Sequence, residues 1–184
     1  KYATNASGSW QTVTVDSDST WEVGAWNSIA IDSNNKLHIS YHESMYNEET
    51  DIYKAHLKYA TNASGSWQTI VVDSTQGREF TSIALDSNNR VHISYHDFYN
   101  RNLKCATNTP GFWQTMTVDS TGDVGTYSSM AIDSNNKMHI SYLDATNGDL
   151  KHAVNTVIKV CPSTDTCIIF PSGAESPDGG EVVP

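Results

Sequence analysis

The chain has 184 residues, and 21 Asp and Glu against 11 Lys and Arg leave a formal net charge of -10. Only 17% of its residues are charged and none form a basic cluster, which excludes nucleic acid as a natural partner. No apolar run approaches the roughly 18 residues needed to insert into a membrane, and Ser, Thr, Asn and Gly dilute 38% hydrophobic residues into neither a helix-rich nor a disordered composition.

In chain order, the sequence is a repeat. Lys1-Tyr-Ala-Thr-Asn-Ala-Ser-Gly-Ser-Trp10-Gln-Thr returns from Lys58 to Thr69, returns degraded from Lys104 to Thr115, and begins again at Lys151. A second block, Ser28–Tyr41, recurs at Ser82–Tyr95 and Ser129–Tyr142. The unit is roughly 46 residues long, the size of one blade of a β-propeller. The first copy carries an extra loop between Glu43 and His56.

Each unit divides into four short strands. In the first full copy these are strand A, Ser28–Asp32; strand B, Leu37–His42; strand C, Leu57–Thr61; and strand D, Trp67–Asp73. Strands B to D place β-branched and aromatic residues at every second position, and no segment holds a 3.6-residue period. Asp32-Ser33-Asn34-Asn35-Lys36 turns A into B, because Asn tolerates the left-handed backbone a tight turn requires. The expected fold is all-β, a propeller of four-stranded antiparallel blades covering residues 1–155. Residues 156–184 are expected to add a non-repeat closing strand, Val157–Phe170, and a Pro/Gly-rich tail.

The phrase His92-Ile-Ser-Tyr-His-Asp97, followed by Asn102-Leu-Lys-Cys-Ala-Thr-Asn108, resembles a repeat of secreted propeller proteins of bacteria and archaea. That resemblance implies a fold and an extracellular or cell-surface location, but little chemistry. Sialidase-type propellers are more distantly similar. Their Asp-box, Ser-x-Asp-x-Gly-x-Thr-Trp, sits at the C–D turn, where this chain has Thr4-Asn5-Ala6-Ser7-Gly8-Ser9-Trp10 with Ala6 in the place of the Asp.

The strand count does not close a ring. The chain enters the repeat at strand C, as a processed form or a piece would, and supplies about three and a half blades, whereas propellers close with roughly four to eight. Two completions follow: self-association of two or more chains, or further blades of a longer chain.

Comparing the copies locates function. The A–B turns are nearly identical in every repeat, while the D–A and B–C loops at the opposite face diverge and are free to specialise. That face gathers Trp21, Trp26, Tyr46, Tyr53, Phe80, Phe98, Tyr99 and Tyr127, with Arg78 and Arg101 beside them. Flat rings next to amides and charges suit a glycan, whose apolar face stacks while its hydroxyls hydrogen-bond. Trp26, Phe80 and Tyr127 hold matching places before strand A and are also candidates for plugging gaps between blades.

No catalytic constellation is found. A sialidase site needs three converging arginines, and Arg90 lies on the face opposite Arg78 and Arg101. His38 with His42, and His92 with His96, stand about 13 Å apart along a strand and cannot share a metal ion. His38, His92 and His139 are expected to bond a neighbouring Ser or backbone group between blades. Asp32-Ser-Asn-Asn-Lys36 lacks the later acid of a calcium loop. Asp144, Asn147 and Asp149 offer three oxygens around Gly148, but no metal or other cofactor is assigned. Asn5 and Asn62 match the glycosylation pattern within turns whose own chemistry explains them. Cys105 reads as a lone packed thiol, whereas Cys161 and Cys167 are expected to form a disulfide, consistent with an oxidising compartment.

Overall fold

The computed structural model describes residues 1–74, 78–109, 112–155, 157–160 and 168–171. Cys161, Cys167 and the tail lie outside these. The chain is all-β and antiparallel throughout. A two-stranded N-terminal pair, β1 (Tyr2–Thr4) and β2 (Gln11–Val13), precedes the first sheet of β3 (Glu22–Ile31), β4 (Leu37–Asn47), β5 (Ile52–Thr61) and β6 (Gln68–Asp73). The second sheet contains β7 (Arg78–Leu85), β8 (Val91–Asp97), β9 (Asn102–Thr109) and β10 (Phe112–Asp119). The third contains β11 (Val124–Ile132), β12 (Met138–Asp144) and β13 (Asp149–Val154). The strands β14 (Val157–Val160) and β15 (Ile168–Pro171) pair with each other in a separate two-stranded sheet.

Within each sheet the strands are neighbours in sequence order, as tight turns between alternating segments dictate. The extra loop expected between Glu43 and His56 is instead an extended hairpin. β4 and β5 stay in register from His38↔Thr61 out to Asn47↔Ile52, so the insertion satisfies its backbone by continuing the ladder. The first strand of each sheet is also longer than expected. In β3 the register shifts at Val23/Ala25 and again at Ala25/Ser28, bulges that the simple alternation of residues does not announce.

The core lies between sheets. Leu57 and Tyr59 of the first sheet pack on Ile83, Val91, Ile93 and Tyr95 of the second. Leu103 and Cys105 of the second pack on Val124, Met130, Ile140 and Tyr142 of the third. The second sheet is covered on both faces, which is why β8 is buried at every residue. Burying each such aliphatic side chain contributes about 1.5–3 kcal/mol. Burial pushes the Cys105 thiol up to about 12.

Three polar contacts recur at the joints between sheets. Asp16, Asp73 and Asp119 each accept a hydrogen bond from a tyrosine of the next sheet: Tyr41 at 2.5 Å, Tyr95 at 2.8 Å and Tyr142 at 2.8 Å. Lys58, Lys104 and Lys151 reach the same carboxylates at 2.7, 3.5 and 2.6 Å. At the A–B turns, the Asn89 side chain accepts from Ser33 N and donates to Ser33 Oγ, and Asn136 accepts from Ser87 N, so each turn clasps the one before it. Each of these turns is held internally too. Asp32, Asp86 and Asp133 accept amide hydrogen bonds from the residues two and four positions later.

The strand-B histidines have partners other than the expected ones. His38 Nδ1 lies 2.5 Å from Tyr59 Oη, His92 Nδ1 2.9 Å from Thr107 Oγ1, and His139 Nδ1 3.1 Å from His152 Nε2. All three partners stand on strand C of the same sheet, the adjacent antiparallel strand, rather than across the joint. Asn62, Asn108 and Asn155 each accept the first amide of strand B at 2.7–2.8 Å, which accounts for the asparagine at that turn.

Candidate functional site

The divergent face is organised by one repeated backbone device. Trp26, Phe80 and Tyr127, at matching bulges of β3, β7 and β11, have φ of 44°, 52° and 54°. A bulky aromatic residue with positive φ is a steric outlier that costs on the order of 1–3 kcal/mol. Hydroxyl relays from the next sheet hold the first two in place. Thr81 Oγ1 donates to the Trp26 carbonyl at 2.8 Å and lies 2.8 Å from Ser40 Oγ. Ser128 Oγ donates to the Phe80 carbonyl at 3.2 Å and lies 3.0 Å from Ser94 Oγ.

The device sets three rings side by side across three sheets. Trp26 and Phe80 have ring centroids 5.5 Å apart, and Phe80 and Tyr127 4.4 Å, both tilted by 52°. Trp26 and Tyr127 are exposed and Phe80 is half-buried, so the row presents apolar surface to solvent. Beneath Trp26 lies the fully buried His42, edge to face at 5.0 Å. Its burial, assisted by neighbouring His56 and opposed by Glu43, lowers its pKa to about 4. His96, its counterpart on β8, is likewise lowered by burial against the pull of Asp123 and Asp97. Neither ring of these two histidines has a hydrogen-bond partner among the described residues.

The other predicted aromatics fall into separate groups. Phe98 and Tyr99, both exposed, stack edge to face at 5.9 Å, with Phe98 6.4 Å from the His96 ring. Arg101 Nη1 stands 3.7 Å from Asp123 Oδ2, and His96 Nε2 3.7 Å from Asp123 Oδ1, so Asp123 links that arginine to the buried histidine. Trp21 stacks on His56 at 4.8 Å, and His56 in turn contacts Glu43, which Lys58 holds at 2.6 Å. Tyr46 and Tyr53 face each other near the tip of the β4–β5 hairpin, with Tyr46 donating to Asp51 at 2.7 Å. Arg78 opens β7 opposite Asp97. Sequence reasoning passed over His56, Glu43 and Asp123; the stacking of Trp21 and the pull of Arg101 identify them only in three dimensions.

Two of the carboxylates considered for calcium, those of Asp32 and Asp144, are engaged by the chain itself. Asp32 Oδ1 accepts two turn amides, and both carboxylate oxygens of Asp144 accept hydrogen bonds from Asn147. Among the described residues no group of three or more His, Cys, Asp or Glu is placed to hold a metal ion.

No family model matches the chain, and no curated protein matches it either. Among solved structures it is similar to a protein of unknown function from Dyadobacter fermentans, with a TM-score of 0.53 and 8% identity over 75% of this chain and 52% of that one. An endo-1,4-beta-xylanase from Bacteroides thetaiotaomicron aligns at a TM-score of 0.41 and 14% identity over 80% of this chain and 58% of that one, too weak to bear on activity. The chain therefore spans little more than half the length of these structures. The likeness is one of fold.

Proposed function

We propose that the chain is a non-catalytic binding module, built from propeller blades and displayed outside the cell, that recognises a glycan or surface polymer through its aromatic face. The observation that carries the reading is the Trp26–Phe80–Tyr127 row, where strained backbone holds apolar rings towards solvent. Backbone strain of this kind clusters at binding and active sites, which supports the reading. Successive four-stranded sheets joined face to face by repeated contacts support the blade reading. The buried His42 beneath Trp26, its pKa lowered to about 4, contributes no charge to the row, which suits a ligand read by stacking and neutral hydrogen bonds.

Replacing Phe80 and Tyr127 by glycine tests the reading, because glycine accepts positive φ without a steric penalty. Titration calorimetry against a panel of soluble polysaccharides is expected to show at least about a tenfold loss of affinity, with a melting temperature that holds or rises. A fall in melting temperature as large as that of a core truncation would make the rings structural plugs and overturn the reading.

A further inference from the structure

The B–C turns of the three sheets share one skeleton and carry different side chains. The pairs Asn47↔Ile52, Asp97↔Asn102 and Asp144↔Asp149 close them. In each turn the residue before the closing position has positive φ, 55° at Asp51, 56° at Arg101 and 74° at Gly148. The first residue braces the turn every time. Asn47 Oδ1 accepts the amides of Glu49 and Thr50, Asp97 Oδ1 accepts that of Asn100 at 3.3 Å, and Asp144 Oδ1 that of Asn147 at 3.1 Å. Asn100 and Asn147 also donate their side-chain amides to the other oxygen of the same carboxylates, at 3.0 and 2.9 Å. The brace uses none of the remaining side chains.

Those remaining positions set the turns apart. The first turn has Glu48, Glu49 and Asp51, the third has Ala145, Thr146 and Gly148, and the second has Phe98, Tyr99 and Arg101. The two rings are 53% and 54% exposed and the Arg101 side chain 70%. Folding accounts for neither choice. Glycine takes positive φ freely, as at Gly148, whereas arginine in the same place bears backbone strain. Rings turned to solvent add little to a core, and the third turn closes without them. The second sheet is the interior one, packed on both faces, so the exposure of this turn does not come from an open end of the array.

The chemistry of the turn suits an acid. Arg101 Nη1 lies 3.7 Å from Asp123 Oδ2, an ion pair without a hydrogen bond, and among the described residues the guanidinium has no nearer partner. Its donors stay open to solvent in a chain whose net charge of -10 otherwise turns anions away. A guanidinium fork pairs with both oxygens of a carboxylate, and a ring beside it stacks on the apolar face of a sugar. The turn also adjoins the aromatic row. Asp97 lies opposite Arg78, and His96 opposite Glu79, the residue before Phe80.

We propose that Phe98, Tyr99 and Arg101 form an acidic-sugar subsite, in which the rings stack on a uronic acid residue and Arg101 binds its carboxylate. This deepens the glycan reading of the face and rests on it. The first turn marks the contrast, because Glu48, Glu49 and Asp51 repel the same ligand.

Arg101→Gly is the central test, since the third turn carries glycine at that place. Its melting temperature is expected to hold or rise. The probes are polygalacturonate, alginate and hyaluronan, each beside its methyl ester, which keeps the sugar and removes the charge. In titration calorimetry the unaltered chain is expected to bind an acid at least about tenfold more tightly than its ester. Arg101→Gly is expected to abolish that preference and leave the affinity for the ester unchanged. Phe98→Ala with Tyr99→Thr, which copies the third turn, is expected to weaken acid and ester alike. Equal affinity for acid and ester, a preference that survives Arg101→Gly, undiminished binding without the two rings, or no binding to any of the three acids would each overturn the proposal. Ester binding that depends on Phe80 and Tyr127, with no preference for the acids, overturns this subsite alone. Acid binding that withstands Phe80→Gly with Tyr127→Gly but fails with Arg101→Gly overturns the row instead.

Discussion

The two ends of the strands use the same backbone conformation with opposite residues. At the conserved turns Asn35, Asn89 and Asn136 have φ of 58°, 59° and 61°, and at the divergent end Trp26, Phe80 and Tyr127 have φ of 44°, 52° and 54°. Asparagine tolerates the left-handed region and uses its amide to clasp the neighbouring turn. The aromatic residues gain no such relief, and Trp26 and Phe80 are held from outside by hydroxyl relays. One end is therefore built to be locally comfortable and to fix the spacing of the sheets. The other is built to place rings where local preference would not put them.

The largest effect that could break this contrast is at the turn end. Asp86 is buried, accepts the amides of Asn88 and Arg90, and meets Arg90 Nε at 2.6 Å. Asp86→Ala strands those donors and is expected to cost about 2–4 kcal/mol in urea unfolding. A loss below about 1 kcal/mol would mean that the clasp between turns holds without its internal brace.

A sharper comparison uses two glycines at the aromatic end. Gly125 has φ of 104°, and a Cβ added there would lie 2.7 Å from the Leu103 backbone; Gly24 has φ of 101° and open space around it. Gly125→Ala is expected to cost about 2–3 kcal/mol, combining backbone strain with a clash that cannot be relieved by a side-chain rotation. Gly24→Ala meets only the strain, at about 1 kcal/mol. Equal losses would show that the close approach of β11 to β9 is soft.

The aromatic end also carries a pH dependence, beneath Trp26. His42 has a folded pKa of about 4, below its ordinary 6.5, so the unfolded chain binds the proton more readily. Stability from keeping this ring neutral is present above pH 6.5 and is lost as the pH falls through that window towards about 4. His42→Phe is expected to flatten this part of the melting-temperature profile. An unchanged acid limb would move the proton uptake elsewhere.

The repeat, the order of the strands and the position of the turns are legible in the sequence because they rest on period and on asparagine chemistry. What sequence leaves out is geometric. Gly24 and Trp26 interrupt the alternation that would extend β3 to Glu22, and the Glu43–His56 insertion lacks turn residues strong enough to mark it as a hairpin. The partners of His38, His92 and His139 depend on cross-strand register, which the letters do not carry. Trp26, Phe80 and Tyr127 stand out in the sequence by their matching places, but their positive φ appears only in the dihedral angles.

Cys105 gives the molecule an internal clock. Its thiol sits in the joint between the second and third sheets, and an alkylating reagent needs both solvent access and the thiolate form. Burial denies it both. The rate at which that sulfur is modified is thus set by how often the packing around it opens, so one native atom times the opening of that joint.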